Sequence, residues 1–174
     1  MAKLGRSPLG RIVARFPTPI VDRFLMRMFG LLKVPLVAFV RPKVVSIDDD
    51  SVEMEVRLNR QTRDQTGSLS FGALCIGASS TASYLALRHI LIHQLPVEFS
   101  FKQMNSKFFK RSEGNVRFFC SQGEEITRSL REAVRSGDRV NVPMIVTATV
   151  PSVSDSEAVA EFELLLSLKR TRNT

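Results

Sequence analysis

From Gly67 to Leu87 the chain carries no charged residue, and most of its side chains there are small or apolar. The stretch opens as a turn, Asp64-Gln65-Thr66-Gly67-Ser68, where Asp, Gly and Ser supply local hydrogen bonds and a permissive backbone. It then runs through Gly72, Ala73, Leu74, Ile76, Gly77, Ala78, Ala82 and Ala86 to Arg88, a pattern that predicts about four turns of helix. A helix that is apolar all round is expected to be buried on all sides, and its small residues admit close approach by neighbouring backbone. Such a helix needs something to wrap it.

The flanking sequence predicts a sheet. Lys43 to Ile47 reads as a first strand, turned by Asp48-Asp49-Asp50, and Val52, Met54, Val56 and Leu58 alternate with Glu53, Glu55 and Arg57 as a second. Beyond Pro96, Val97, Phe99 and Phe101 alternate with polar residues, the pattern slips near Gln103 to Asn105 as a bulge would make it, and Phe108-Phe109 ends the strand. Alternation there expects Phe109 to face inward. Val116 to Cys120 reads as a fourth strand. A short helix follows, with Ser121 and Glu124 as its capping box, Ile126, Leu130, Ala133 and Val134 as its apolar stripe, and Gly137 as its stop. Two long alternating strands close the chain: Val140 to Val150, and Ala158 to Leu168, joined by a hairpin at Pro151 to Asp155. An antiparallel sheet of about six strands buries the long helix best by curling around it.

With 174 residues the chain has the length of one ordinary domain. The expected division is a basic arm and N-terminal helix at 1–34 (helix from Ile20 to about Lys33) followed by a single domain at 35–174. No apolar run reaches the roughly 18 residues needed to span a bilayer. A net charge of +8 suggests polyanionic partners, but no nucleic-acid motif accompanies it. Peripheral contact with a membrane surface through the arm stays open. Cys75 and Cys120 have no metal or disulfide-framework spacing and read as buried, reduced thiols. Pro17 and Pro19 interrupt any signal-peptide core, so a cytoplasmic location is expected.

Three segments carry a family resemblance: Gly67-Ser68-Leu69-Ser70-Phe71-Gly72-Ala73-Leu74, Lys107-Phe108-Phe109-Lys110-Arg111-Ser112-Glu113-Gly114, and Ala158-Val159-Ala160-Glu161-Phe162. With the order of elements, they make roughly Leu36 to Arg170 resemble the hotdog fold of acyl-CoA thioesterases and related dehydratases. The resemblance implies an α+β hotdog fold: about six antiparallel strands curled around a long central helix, with an N-terminal helix and a short helix near 121–136. It further implies a homodimer or homotetramer with sites shared across the subunit interface, an acyl-CoA or other thioester ligand, and no cofactor or metal. Members of such families commonly carry a carboxylate about two turns into the helix; here that position is Ser79. A subclass resembling the 4-hydroxybenzoyl-CoA thioesterases keeps its carboxylate in an Asp-x-x-Gly turn, which Asp64-Gln65-Thr66-Gly67 matches.

Thioester hydrolysis needs an oxyanion donor and a base or nucleophile. The Gly72 amide, in the first turn of the helix, is the candidate donor, since N-terminal amides are unpaired and lie at the positive end of the dipole. Close packing at the helix start is the other reading of Gly72. Asp64 is the candidate nucleophile or base, with turn formation as its alternative. Ser79 is a candidate for polarising water or a carbonyl, with back-bonding to the helix as its alternative. No nucleophile elbow surrounds it, and His89 and His93 lie about 15 Å or more along the axis. Gly67, Ser68 and Phe71 are expected to line the substrate site, with Lys107, Lys110 and Arg111 as a basic rim for coenzyme A phosphates.

Overall fold

The computed structural model describes residues 35–171. The expected helix from Ile20 to Lys33, and the basic arm before it, lie outside them. A short helix α1 (Pro35–Val40) leads into β1 (Lys43–Ile47) and β2 (Val52–Val56). The long helix α2 (Phe71–Ile92) follows, then β3 (Val97–Phe108), β4 (Val116–Cys120), α3 (Gly123–Ser136), β5 (Val140–Val150) and β6 (Ser154–Arg170). The six strands form one antiparallel sheet in the order β1-β2-β4-β5-β6-β3. The fold is therefore α+β, a sheet laid around α2, as the hotdog resemblance implies. The helix carries the chain from β2, near one edge, to β3 at the other.

Alternation decides which face of the sheet meets α2. In β5, Val142, Met144, Val146, Ala148 and Val150 are buried, and in β6 Ala160, Phe162, Leu164, Leu166 and Leu168 are. Each such Leu or Phe contributes about 1.5–3 kcal/mol of hydrophobic stabilisation. The bulge expected in β3 falls between Phe101 and Gln103, where the pairing with β6 shifts register. Helix α3 buries Ile126, Leu130 and Ala133 against α2, β5 and β6, and ends on Gly137 at φ 75°.

Several expectations are corrected. Helix α2 continues past Arg88 to Ile92, because Leu91 and Ile90 still find core to pack against. It is not buried on every side: Phe71 and Gly72 are exposed, and Cys75, Ile76, Ser79 and Ser83 are half-buried along one stripe. Phe109 is 54% exposed. Strand β3 stops at Phe108, and the Phe109 and Lys110 amides both donate to Val159 O, so the alternation that would turn Phe109 inward has already ended. Ser121 and Glu124 do not cap α3. Its N-cap is Gln122, and the Gly123 and Glu124 amides donate instead to Asp50 O (2.8 Å) and Asp50 Oδ1 (3.2 Å) of the β1–β2 turn. A distant acceptor satisfied the helix end before a local one was needed.

One contact sets how closely α2 lies on the sheet. A Cβ on Gly77 would stand 2.4 Å from the ring of Phe118, a fully buried β4 residue with no room to retreat. Gly77→Ala is expected to destabilise the fold by about 1–3 kcal/mol through overpacking, read as a lowered midpoint in denaturant unfolding.

Candidate functional site

The segment between β2 and α2 is a rigid, self-bonded loop. Thr62, 1% exposed, donates its hydroxyl to Arg57 O (2.7 Å), and the Ser70 amide donates to Thr62 O (2.8 Å). Within it the Asp64 turn closes on itself. Asp64 Oδ1 accepts from the Thr66 amide (2.8 Å), the Thr66 hydroxyl (2.7 Å) and the Ser68 amide (3.2 Å). The Asp64 amide donates to Ser68 O at 2.8 Å. Gly67 sits at φ 85°, a conformation that costs a residue with a side chain about 1 kcal/mol or more. The Leu69 amide donates to Ser112 O (2.9 Å), which draws the β3–β4 connection alongside.

These donors hold the Asp64 carboxyl below the usual aspartate range: the Thr66 hydroxyl first, then the Thr66 and Ser68 amides, with the Arg111 charge adding to them and burial opposing. Asp64 is thus ionised at neutral pH. Its Oδ1 is spent on the turn, and Oδ2 makes no hydrogen bond within the described residues. Turn formation is visible; reactivity would rest on Oδ2.

Helix α2 starts directly after this loop. Ser70 is its N-cap, its hydroxyl accepting from the Ala73 amide (3.4 Å) and its carbonyl from Leu74 (3.0 Å). The Phe71 and Gly72 amides precede the first intrahelical donor and have no hydrogen-bond partner among the described residues. A Cβ on Gly72 would meet nothing within 4 Å, and its φ is not positive. Among the described residues, neither packing nor backbone strain therefore accounts for a glycine there. Above it, Phe71 is 65% exposed and its ring lies 5.6 Å from that of Phe108, which stacks edge-on against the buried Phe162 at 5.7 Å. Phe71 and Phe108, 44% exposed, form an exposed aromatic pair at this helix start, and exposed apolar patches mark interaction surfaces.

The structure thus brings Asp64, Gly67, Ser68, Phe71, Gly72 and Arg111 to one end of α2. Ser79 does not join them. It lies seven residues on, about 10 Å along the axis, and its hydroxyl donates to Ile76 O at 3.2 Å, the back-bonded arrangement. The basic rim is largely neutralised: Lys107 pairs with Glu163 (3.9 Å) and Lys110 with Glu157, both acids of β6. Lys3, Arg6, Arg11, Arg15, Arg23, Arg27 and Lys33 stand against Asp22 alone in residues 1–34, so most of the +8 belongs to that arm. Thr66 and Ser112, which shape the loop, escaped sequence reasoning. Ser112 acts through a backbone carbonyl 43 residues from its partner, for which no local signal exists.

Both cysteines stay thiols. Burial pushes Cys120 up to about 12 and raises half-buried Cys75. No group of three His, Cys, Asp or Glu among the described residues is arranged to hold a metal ion. No helix among them is long and apolar enough to cross a membrane. A cleft of about 1070 Å³ lies at the far end of α2, lined by His89, His93 and α3, away from Gly72.

No protein-family model matches the chain, and no curated protein does. Solved structures match its fold. A candidate thioesterase from Shewanella oneidensis superposes with a TM-score of 0.72 at 10% identity, over 87% of this chain and 98% of its own. A protein of unknown function from Chlorobaculum tepidum gives 0.74 at 15%, over 88% and 98%. A thioesterase family protein from Silicibacter pomeroyi gives 0.62 at 15%, over 88% and 99%. The fold is the thioesterase-like hotdog fold.

Because hydrogen bonds hold the Asp64 carboxyl low, the stabilisation they provide is present above the unfolded value near 3.8 and is lost as pH falls through the folded one. The wild type is expected to lose stability below that value relative to Asp64→Asn, whose side chain does not titrate. Thermal unfolding of the two proteins across pH 2–6 checks this.

Proposed function

We propose that the protein hydrolyses acyl-CoA thioesters at the N-terminus of α2, with the Gly72 amide as oxyanion donor. The observation that carries this reading is Gly72 itself: an unpaired amide with open space where a Cβ would stand, next to an exposed aromatic patch. A substrate carbonyl approaching there meets a fixed donor at the positive end of the helix dipole, where a developing oxyanion is stabilised more than the neutral ground state. Phe71 and Phe108 then cover the pantetheine or acyl portion.

Asp64 supplies the second group. In the base route, water adds to the thioester carbon, its proton passes to Asp64 Oδ2, and collapse of the tetrahedral intermediate expels the coenzyme A thiolate, which takes up a proton. A base works best with a pKa near the operating pH. Asp64, held below the ordinary range, is a weak base, so the rate rests more on oxyanion contacts than on proton transfer. In the covalent route Oδ2 attacks the carbonyl, the C–S bond breaks as the coenzyme A thiolate leaves and takes up a proton, and water then hydrolyses the resulting anhydride to the free acid and the Asp64 carboxylate. The neutralised rim leaves Arg111, beside Asp64, as the cation best suited to a phosphate, with Lys107 and Lys110 free to exchange partners.

Homo-oligomerisation belongs to the same reading. Strand β3 is a 12-residue edge paired on one side only, with Phe101 36% exposed, and the half-buried stripe of α2 lies uncovered. Pairing of two β3 edges covers both, and a long open edge calls for such a partner. Residues 35–174 act in this reading as one domain in the cytoplasm, with the arm at 1–34 free for peripheral contact.

The alternative is a hotdog protein that binds acyl-CoA or fatty acid without turnover. One observation favours it: the uncovered stripe of α2 offers Cys75, Ile76, Ser79 and Ser83 and no carboxylate. Steady-state hydrolysis of short, medium and long acyl-CoAs decides between them. Under the first reading Asp64→Ala lowers kcat/KM at least about tenfold. Gly72→Ala lowers it by a similar factor through crowding of the carbonyl, while stability is unchanged or slightly raised. Saturable acyl-CoA binding with no turnover in the wild type would establish the alternative. Sedimentation of the intact chain is expected to give at least twice the monomer mass.

A further inference from the structure

The cleft of about 1070 Å³ at the C-terminal end of α2 is separate from the site at Gly72. Twenty-one residues of helix divide Gly72 from His93, about 31 Å along the axis. Its size lies at the upper end of the range for small-molecule sites. It is lined by the last turn of α2, the β1–β2 turn at Asp49 and Asp50, and α3.

The charges along α3 are segregated. The acids gather at the N-terminal end of α3, where Asp49 and Asp50 of the β1–β2 turn and Glu124 line the cleft, Asp50 Oδ1 accepting from the Glu124 amide and Asp49 pairing with Arg88 at 2.9 Å. Toward its C-terminus Arg128, Arg131 and Arg135 line the cleft at i, i+3 and i+7, with Glu132 the one acid between them. This spacing aligns the three guanidinium groups on one face over about 10 Å. None of them forms an ion pair among the described residues.

The opposite wall is imidazole. His89 is 5% exposed and fully engaged: Nε2 lies 2.8 Å from Asp49 O, which can only accept, so Nε2 carries the proton and Nδ1 accepts from the Thr127 hydroxyl at 3.1 Å. His89 is therefore floor. His93 stacks on it at 6.1 Å with planes 19° apart, is exposed, and has no ring hydrogen bond among the described residues.

We propose that this cleft is a binding site for a diphosphate-bearing small molecule, held by Arg128, Arg131 and Arg135 with His93 facing it. Guanidinium groups spaced along one face suit two linked phosphates, because each gives paired, charge-assisted hydrogen bonds to phosphate oxygens. A concave site with a flat imidazole wall fits a small ligand better than a macromolecular surface. The inference does not depend on thioester hydrolysis at Gly72.

The test titrates the full chain with inorganic pyrophosphate by calorimetry, with inorganic phosphate for comparison, and follows the ring proton signals of the two histidines by NMR. Saturable pyrophosphate binding tighter than phosphate, a shift of the His93 signal, and at least about tenfold weaker binding in Arg131→Gln/Arg135→Gln are expected. The Lys variants at both positions are expected to retain part of the affinity. Three results would overturn the proposal: no saturable binding, binding that leaves the His93 signal unmoved, or equal affinity in the double Gln variant, which would assign the anion to the basic arm.

Discussion

The approach of α2 to the sheet at Gly77 and Phe118 is the contact on which the rest depends. It lets a helix of 22 residues lie against the inner faces of β2, β4, β5 and β6, with the Phe118 ring seated directly against the Gly77 backbone. Both ends of α2 are then placed by the same contact. At the C-terminal end, Arg88 and His89 reach the β1–β2 turn, where they bond Asp48 O, Asp49 Oδ1 and Asp49 O. Arg88 is 8% exposed and needs those acceptors, since a buried cation without a partner is strongly destabilising. Burial keeps the His89 imidazole below the ordinary histidine range, in keeping with its neutral, doubly bonded state.

The two long-range helix starts are handled in opposite ways. At α3 the Asp50 carbonyl and carboxylate of the β1–β2 turn accept from the first amides, and that end is satisfied. At α2 a single serine caps the third amide, while the Phe71 and Gly72 amides have no hydrogen-bond partner among the described residues. Unpaired amides are tolerable there because water reaches them, and the same accessibility admits a ligand. A chain that satisfies one helix start from a distant turn, and leaves the other open at a glycine, separates a closed helix end from an accessible one.

Much of the architecture was legible in order of strength of pattern. β5 and β6 alternate over many residues, so their inward rows were readable one by one; Gly137 marked the end of α3 because a left-handed C-cap is a local requirement. The bulge in β3 showed as a slip in alternation. The Asp64 turn was readable because Asp64, Gly67 and Ser68 bond within four residues of one another. Where reading failed, a partner remote in sequence had intervened. Asp50 displaced the capping box, Val159 ended β3 one residue before Phe109 could turn inward, and Glu157 and Glu163 closed over Lys110 and Lys107.

By itself the sequence determined the long uncharged helix, the strands that enclose it, their order along the chain and the turn that precedes the helix. These follow from periodicity and short-range hydrogen bonding, which act between residues a few positions apart. Only the tertiary structure decided that Gly72 meets open space among the described residues, that the basic rim is neutralised, and that arginines of α3 share a cleft with the histidines of α2. Each of these depends on which surfaces meet when the sheet closes around α2, and proximity across 40 or more residues leaves no mark in the local pattern.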